Sequence, residues 1–355
     1  MEVKTTGIEN EGWSGKWVDG LFVPADVTPL ARKYQLMNGH AVHGHVTTEP
    51  GPGSIELAGA YSTSLDDAVA NVYALHTDAL GEGHEIRYQM CSPFFDGPFV
   101  NPEDLKKSRY KALFGAAKIE LESLGLPESE VQERLSRMGY LNVRAATHWH
   151  LGFGKGVIDL DHIDQRLIFL LNVSNYVGPW FARTLCRAYD QDNEGHLGIT
   201  WGWGDPRRFC RPDIWFLDFA DFRRQFESLK RMMRPVGEAD PEFGEWQIDL
   251  KSSMEWGNPA DWKTGYWPHV RPRPDYETVE VRLMPSLPLP ILGEVSHHLV
   301  DFVNCILHIA PQTMPRSIAE LKESRAWRHL TSLSICGQTI PRDYDEVMWN
   351  KYVFC

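Results

Sequence analysis

The sequence lacks the features that mark membrane, secreted or disulfide-stabilised proteins. It contains no apolar run of about 18 residues, the length that a helix needs to cross a bilayer. Its first residues do not combine a basic segment with an apolar one, so no signal peptide is expected. The six cysteines are scattered without a C-x-x-C pair, and 355 residues can bury a core without disulfides. We therefore expect a cytoplasmic protein with no membrane partner.

The chain also lacks an excess of basic residues. It has 36 Lys and Arg against 48 Asp and Glu, which gives a formal net charge of −12 at pH 7. A negative surface repels nucleic-acid backbones and anionic lipids, so we expect neither as a partner. It does not exclude ATP, because divalent cations can screen the phosphates locally.

Internal repeats and low-complexity linkers are absent as well, and 355 residues permit one large domain or two smaller ones. Strand and helix patterns do not alternate regularly, which favours an α+β fold with an antiparallel sheet. The predicted strands cover residues 3–11, 41–48, 54–60, 144–153 and 277–283. The predicted helices begin at Ser64 and Ser317, and also comprise two in 102–137, two in 159–190, one near 218–233 and one at 291–309.

Tryptophan is abundant, with 13 residues in the chain. Seven of them fall within one stretch: Trp201, Trp203, Trp215, Trp246, Trp256, Trp262 and Trp267. Such residues serve as large core side chains, or they line an apolar pocket for a small substrate. The sequence leaves both interpretations open.

Carboxylates recur in pairs on the predicted strands. Glu9 and Glu11 are two residues apart, and the strand period of two places both on one face. Like charges on one face repel unless the face is solvated or holds a cation. Glu49 and Glu56 flank a turn between two strands. Each pair is therefore either a solvated strand surface or part of a cation site.

Two later strands carry complementary groups. His148 and His150 repeat the spacing of two with imidazoles, which are common metal ligands. Glu280 and Arg282 share one face of their strand, either as a simple ion pair or as ligands of a cation and a phosphate. Carboxylate oxygens in this number suit Mg²⁺ or Mn²⁺ better than zinc.

A rival interpretation uses the histidines alone. His40, His43 and His45 lie close together in the sequence and could join His148 and His150 in a zinc site. Such a site would activate a metal-bound water and make the protein a hydrolase. It would leave the acidic pairs and Arg282 without a role.

The order of these motifs resembles the glutamate–cysteine ligase and carboxylate–amine ligase superfamily, which has the glutamine-synthetase-like fold. Residues 7–11 (GIENE) resemble its opening GxExE strand, and residues 47–49 (TTE) with Glu56 resemble its second acidic pair. Residues 147–153 (THWHLGF) are similar to its HVHVG-type strand. Residues 269–274 (HVRPRP) followed by 278–282 (TVEVR) resemble its RPHP…TxEVR block, which is the most specific match.

The resemblance implies a single catalytic ligase domain over residues 1–355, with an antiparallel sheet as an active-site cradle and helices on its outer face. It implies an enzyme that uses ATP and Mg²⁺ (or Mn²⁺) to activate glutamate or another amino acid as an acyl phosphate and to join it to an amine. The implied metal ligands are Glu9, Glu11, Glu49, Glu56, His148 and Glu280. The implied catalytic residues are Glu280, Arg282 and Arg271, and the implied substrate- or ATP-binding residues are His150, Arg208, Arg211, Arg273 and Trp267.

One position departs from the family pattern. The family usually has an Asp three residues after the arginine of its EVR motif, and this chain has Pro285 there. If that Asp helps to select the amine, cysteine is expected to be a poor amine substrate here. A non-catalytic binding protein on a degenerate ligase scaffold is a further alternative, although the acidic motifs are intact.

Overall fold

A computed structural model describes residues 1–37, 41–48, 53–89, 145–158, 162–189, 215–222, 270–273 and 276–345, together with 93, 125, 127–131 and 224. Most of the two helices predicted within 102–137, and of the helix predicted near 218–233, lies outside these residues. Among the described residues, no helix combines the length and the apolar character that a membrane span requires.

The described residues form ten strands and six main helices. The strands are β1 (Thr5–Val18), β2 (Leu21–Pro24), β3 (Gly44–Thr48), β4 (Ser54–Gly59), β5 (Glu85–Arg87), β6 (Ala146–Gly152), β7 (Val270–Arg273), β8 (Thr278–Pro285), β9 (Ser334–Ile335) and β10 (Gln338–Thr339). The helices are α1 (Thr28–Met37), α2 (Leu65–Gly81), α3 (Gln165–Tyr189), α4 (Leu289–Ile309), α5 (Ile318–Glu323) and α6 (Arg325–Ser332).

Eight of the described strands form one antiparallel sheet. Its main path runs β3-β4-β1-β6-β8-β7, and β2 and β5 pair with β1 as well. The small β9–β10 hairpin stands apart. The long strand β1 therefore occupies the centre, because it contacts β4 on one side and β6 on the other.

One face of this sheet is covered by helices. α2 and α3 pack on the strands, and α4 packs against both helices. The sheet presents alternate apolar residues to them, among which Ile8, Leu57 and Trp149 are completely buried. The Trp149 indole donates a hydrogen bond to Ser296 Oγ of α4 at 2.9 Å. The predicted α+β class, with an antiparallel sheet and helices on its outer face, is confirmed.

The prediction of two helices within 159–190 is wrong, because one continuous helix, α3, spans Gln165–Tyr189. It passes through Pro179, which cannot donate its backbone hydrogen bond. Nearly the whole helix is buried, so packing stabilises it despite that loss. Its neighbour Gly178 allows close approach to β8, since a Cβ there would lie 2.6 Å from Leu283 Cδ2.

Candidate functional site

The face of the sheet opposite the helices gathers the polar side chains that the sequence singled out. The antiparallel register pairs Glu9 with His148 and Glu11 with Glu56. It also pairs His150 with Glu280. Residues that directly oppose each other share a face, so four strands contribute to one polar row.

Glu9 lies at the centre of this row. Its Oε2 is 3.4 Å from His148 Nδ1, and its Oε1 is 3.1 Å from His150 Nε2. The second contact is a close approach of the two groups and not a hydrogen bond. Burial alone raises the pKa of Glu9, but the two imidazoles outweigh it and hold this pKa well below its usual range. Glu9 is therefore a carboxylate at neutral pH.

His148 is buried between Glu9 and Arg282. Burial, and then the positive charge of Arg282, lower the pKa of His148 to about 4, although Glu9 and Glu280 act in the opposite direction. The imidazole is thus neutral at pH 7 and keeps a lone pair for a ligand. Its Nε2, like Nδ1 of His150, is buried without a hydrogen-bond partner among the described residues. A cation would satisfy such atoms.

Glu280 is buried beneath two guanidinium groups. Its Oε2 accepts a hydrogen bond from Arg273 Nη1 at 3.0 Å, and its Oε1 accepts one from Arg282 Nη1 at 2.5 Å. Burial by itself lowers the pKa of Arg273, but the bond to Glu280 raises it overall. The backbone of Arg271 pairs with Glu280, while the side chain of Arg271 lies outside what the structure describes.

Glu11 and Glu56 extend the row away from His150. They oppose each other on β1 and β4, where two carboxylates repel unless a cation lies between or beside them. Glu11 Oε2 accepts a hydrogen bond from the backbone of Ala146 at 2.8 Å, and its Oε1 is 3.9 Å from His148 Nδ1. This contact joins the acidic pair to the histidine strand.

A β-bulge between β6 and β8 changes which residues of β8 share a face. Thr147 pairs with Met284 whereas Trp149 pairs with Val281, so β8 contributes one extra residue at this point. Beyond the bulge, Pro285 pairs with Ala146, whose N–H binds Glu11. The position that departs from the family pattern therefore lies beside the acidic end of the row.

Three residues bring potential metal-ligand atoms close together. Glu9, His150 and Glu280 each offer one atom, and these atoms lie within 4.8 Å of one another. Two carboxylates and an imidazole fit Mg²⁺ or Mn²⁺, because the donors are mainly hard oxygens. The sequence assigned His150 to the substrate or ATP. The i, i+2 spacing from His148 was the signal that both imidazoles face the same site.

The remaining candidates include residues that the structure does not describe. Glu49, Arg208, Arg211 and Trp267 lie outside the described residues, as does His40. His43 Nδ1 lies 3.0 Å from Asn71 Oδ1 of α2 instead of turning toward His148. The described histidines therefore do not form the zinc site that the hydrolase interpretation requires.

No protein-family model and no curated protein sequence matches the chain. Among solved structures, the chain is similar to a glutamate–cysteine ligase from Francisella tularensis in complex with AMP. The identity is 14%, the TM-score is 0.50, and the match covers 96% of this chain and 72% of that one. The chain thus shares the fold that the motif resemblance implied.

A second similar structure is a bifunctional glutathione synthetase from Pasteurella multocida. Its identity is 12% and its TM-score is 0.42. The match covers 90% of this chain, which spans only 40% of that longer protein.

Proposed function

We propose that the protein is an ATP-dependent carboxylate–amine ligase that works with Mg²⁺ or Mn²⁺. The observation that carries this proposal is the convergence of Glu9, His150 and Glu280 beside Arg273 and Arg282. They lie on the face of the sheet that the described helices leave uncovered, which is called the open face. The fold shared with a glutamate–cysteine ligase supports it. The proposal includes a single catalytic domain over residues 1–355 and small-molecule acid and amine substrates, with glutamate or another amino acid as the acid.

The site would hold divalent ions through Glu9, His150 and Glu280, with Glu11, Glu56 and His148 on the same face, and the proposal keeps Glu49 as a further metal ligand. Bound there, the ions supply positive charge against the phosphates of ATP. Arg273 and Arg282 add fixed positive charge at the two carboxylate oxygens of Glu280. This arrangement stabilises charge that develops during phosphoryl transfer without reorganising the protein.

The reaction proceeds in two steps. A carboxylate oxygen of the acid attacks the γ-phosphorus of ATP, and ADP leaves, which yields an acyl phosphate. The amine nitrogen then attacks the acyl carbon and loses a proton, and inorganic phosphate leaves with the original carboxylate oxygen. The protein contributes mainly positioning and electrostatics, so displacement of one ligand has a large effect on rate.

Melting temperatures test the nucleotide and metal requirement. ATP should raise the melting temperature only when Mg²⁺ or Mn²⁺ is present, because the ligand stabilises the native state by mass action. Equal stabilisation by ATP in excess chelator would argue against the metal site. Strong zinc binding without ATP would favour the hydrolase, and the absence of any turnover despite Mg·ATP binding would favour a non-catalytic binding protein.

Isotope transfer tests the chemistry. A screen of amino acids as acid and amine partners should reveal amine-dependent release of ADP. With an ¹⁸O-labelled carboxylate on the productive acid, one labelled oxygen should appear in the inorganic phosphate. Release of AMP and pyrophosphate would instead indicate an acyl adenylate and overturn the proposed mechanism.

A further inference from the structure

Two half-exposed tyrosines flank His150. Tyr61 follows β4 and Tyr276 lies in the turn between β7 and β8, so the strand order places them on opposite sides of β6. The ring centroids of Tyr61 and His150 are 6.1 Å apart at an interplanar angle of 75°. For Tyr276 and His150 the values are 6.2 Å and 83°. The imidazole therefore lies between two rings that both meet it edge-on.

Both rings are held in place by the site itself. Tyr61 packs over Gly7, the cross-strand partner of His150, because a Cβ on residue 7 would lie 3.0 Å from the Tyr61 ring. The Arg273 guanidinium lies 4.8 Å from the Tyr276 ring centroid while it donates to Glu280. The two walls are thus preformed by contacts with the polar row.

The exposure of these rings is unusual for their surroundings. Tyr61 is 49% exposed and Tyr276 is 55% exposed, whereas the adjacent His150 and Glu280 are buried. Aromatic surface left open beside buried polar groups gains free energy when a ligand covers it. An aromatic ligand would also meet the rings in the offset or edge-on geometries that such pairs prefer.

The two tyrosine rings and the imidazole between them form an aromatic slot, and charged groups lie beside it. Glu9 lies on the Tyr61 side, and Arg273 lies on the Tyr276 side. An aromatic group that carries a carboxylate or an amine therefore fits the slot better than a purely apolar one.

We infer that Tyr61 and Tyr276 form a subsite for an aromatic side chain on the acid or the amine substrate. The inference rests on the proposed function, in which divalent ions at Glu9, His150 and Glu280 would neutralise the phosphoryl group that is transferred. Ribose and the remaining phosphates separate adenine from the γ-phosphate, so a ring that contacts these tyrosines beside His150 belongs to the reacting acid or amine rather than to the nucleotide.

Ligand-observed NMR with matched probes tests the subsite and the source of the ring. N-acetyl-L-phenylalanine offers a ring and a carboxylate, and phenethylamine offers a ring and an amine. N-acetyl-L-alanine and ethylamine are the ring-free counterparts. We expect one ring-bearing probe to bind about tenfold more tightly than its counterpart, and which probe does so identifies the acid or the amine as the aromatic partner.

Variants locate that binding. Tyr61→Ala and Tyr276→Ala should each abolish the preference for the ring, whereas Tyr61→Phe and Tyr276→Phe should retain it. Trp17→Ala, which removes a ring that is 56% exposed at the other end of β1, should change nothing. Equal binding of ring-bearing and ring-free probes to the parent, or an unchanged preference in both folded alanine variants, would overturn the inference. Ring binding by a parent that ATP with Mg²⁺ does not stabilise would overturn the proposed function and leave the aromatic slot supported.

Discussion

The two faces of the sheet are built from the same strands, yet burial of their side chains has opposite effects on the stability of the fold. On the helix side, Ile8, Trp149 and Val281 are buried among apolar neighbours, and their burial stabilises the fold. On the open side, His148 and Glu280 are nearly as buried. Burial of these groups costs free energy, which the ion pairs of Glu280 offset only in part. Burial alone therefore does not identify the core, and the buried polar row marks the face to which we assign the proposed chemistry.

The largest effect on stability is expected from the helix face. Trp149→Ala should lower the free energy of unfolding by about 3–5 kcal/mol, because it removes a fully buried indole and its bond to Ser296. Denaturant titration measures the loss, and Trp149→Phe serves as a milder variant if the first does not fold. Trp17→Ala, the same change at an exposed position, should cost less than about 1 kcal/mol. Equal losses at the two positions would contradict the division between the faces.

Next in size is the effect of neutralising Glu280 on the open face. Glu280→Gln keeps the shape but removes the charge that would hold a cation, so turnover should fall by about 10²–10³. The stabilisation by ATP with Mg²⁺ should disappear at the same time. This second readout matters because Glu280 also pairs with two arginines, and its replacement affects stability as well.

Asp221→Asn is the matched control for this substitution. Asp221 is also buried and also binds an arginine, Arg224 Nη2, at 2.5 Å, but it lies near α3 and not on the open face. Its replacement should leave turnover within a few fold. A folded Glu280→Gln variant with near-parental turnover would remove Glu280 from the site and weaken the ligase proposal.

The difference between the faces also shows what the sequence could reveal. The spacing of two in Glu9 and Glu11, and in His148 and His150, correctly placed each pair on one side of a strand. Residue spacing predicts which side chains share a face, because the alternation along a strand depends only on backbone geometry. The α+β class followed from the order of the elements, and the long apolar stretch at 159–190 was recognised as helical.

What the sequence could not give depends on contacts between distant segments. The sequence pattern predicted two helices within 159–190, but tertiary burial keeps α3 continuous through Pro179. The bulge that returns Pro285 toward Glu11 has no local signature, because it is a mismatch between β6 and β8, which are distant from each other in the chain. The grouping of His150 with Glu9 and Glu280 likewise needs the register of three strands, which one sequence does not specify.

A smaller effect concerns the choice of amine at the acidic end of the open face. Pro285 lacks the charge and the hydrogen-bonding groups of the Asp found in the family pattern, so cysteine should react about tenfold or more slowly than the best amine. Rates of ADP release across an amino-acid panel measure this preference, with glutamate as the acid in every assay. Fastest release with glutamate plus cysteine would show that Pro285 does not alter specificity.

The smallest expected effect comes from a polar pair that stands away from the open face. Ser14 Oγ and His84 Nδ1 are 2.8 Å apart and buried. Burial lowers the pKa of His84 below its ordinary 6.5, although the charges of Glu82 and Asp26 act in the opposite direction. At a pH just below 6.5, His84 therefore binds a proton more readily in the unfolded chain than in the native protein. The contribution of His84 to stability is complete above its unfolded pKa and is lost as the pH falls toward its folded pKa.

The measurement is the free energy of unfolding of the parent and of His84→Gln between about pH 5 and 7. The slope with pH should be shallower in the variant, since the amide cannot take up the proton. Comparing slopes removes the contributions of groups on the open face, which both proteins share. If the slope in His84→Gln equals that of the parent, His84 titrates alike in both states, and burial does not lower its pKa in the native protein.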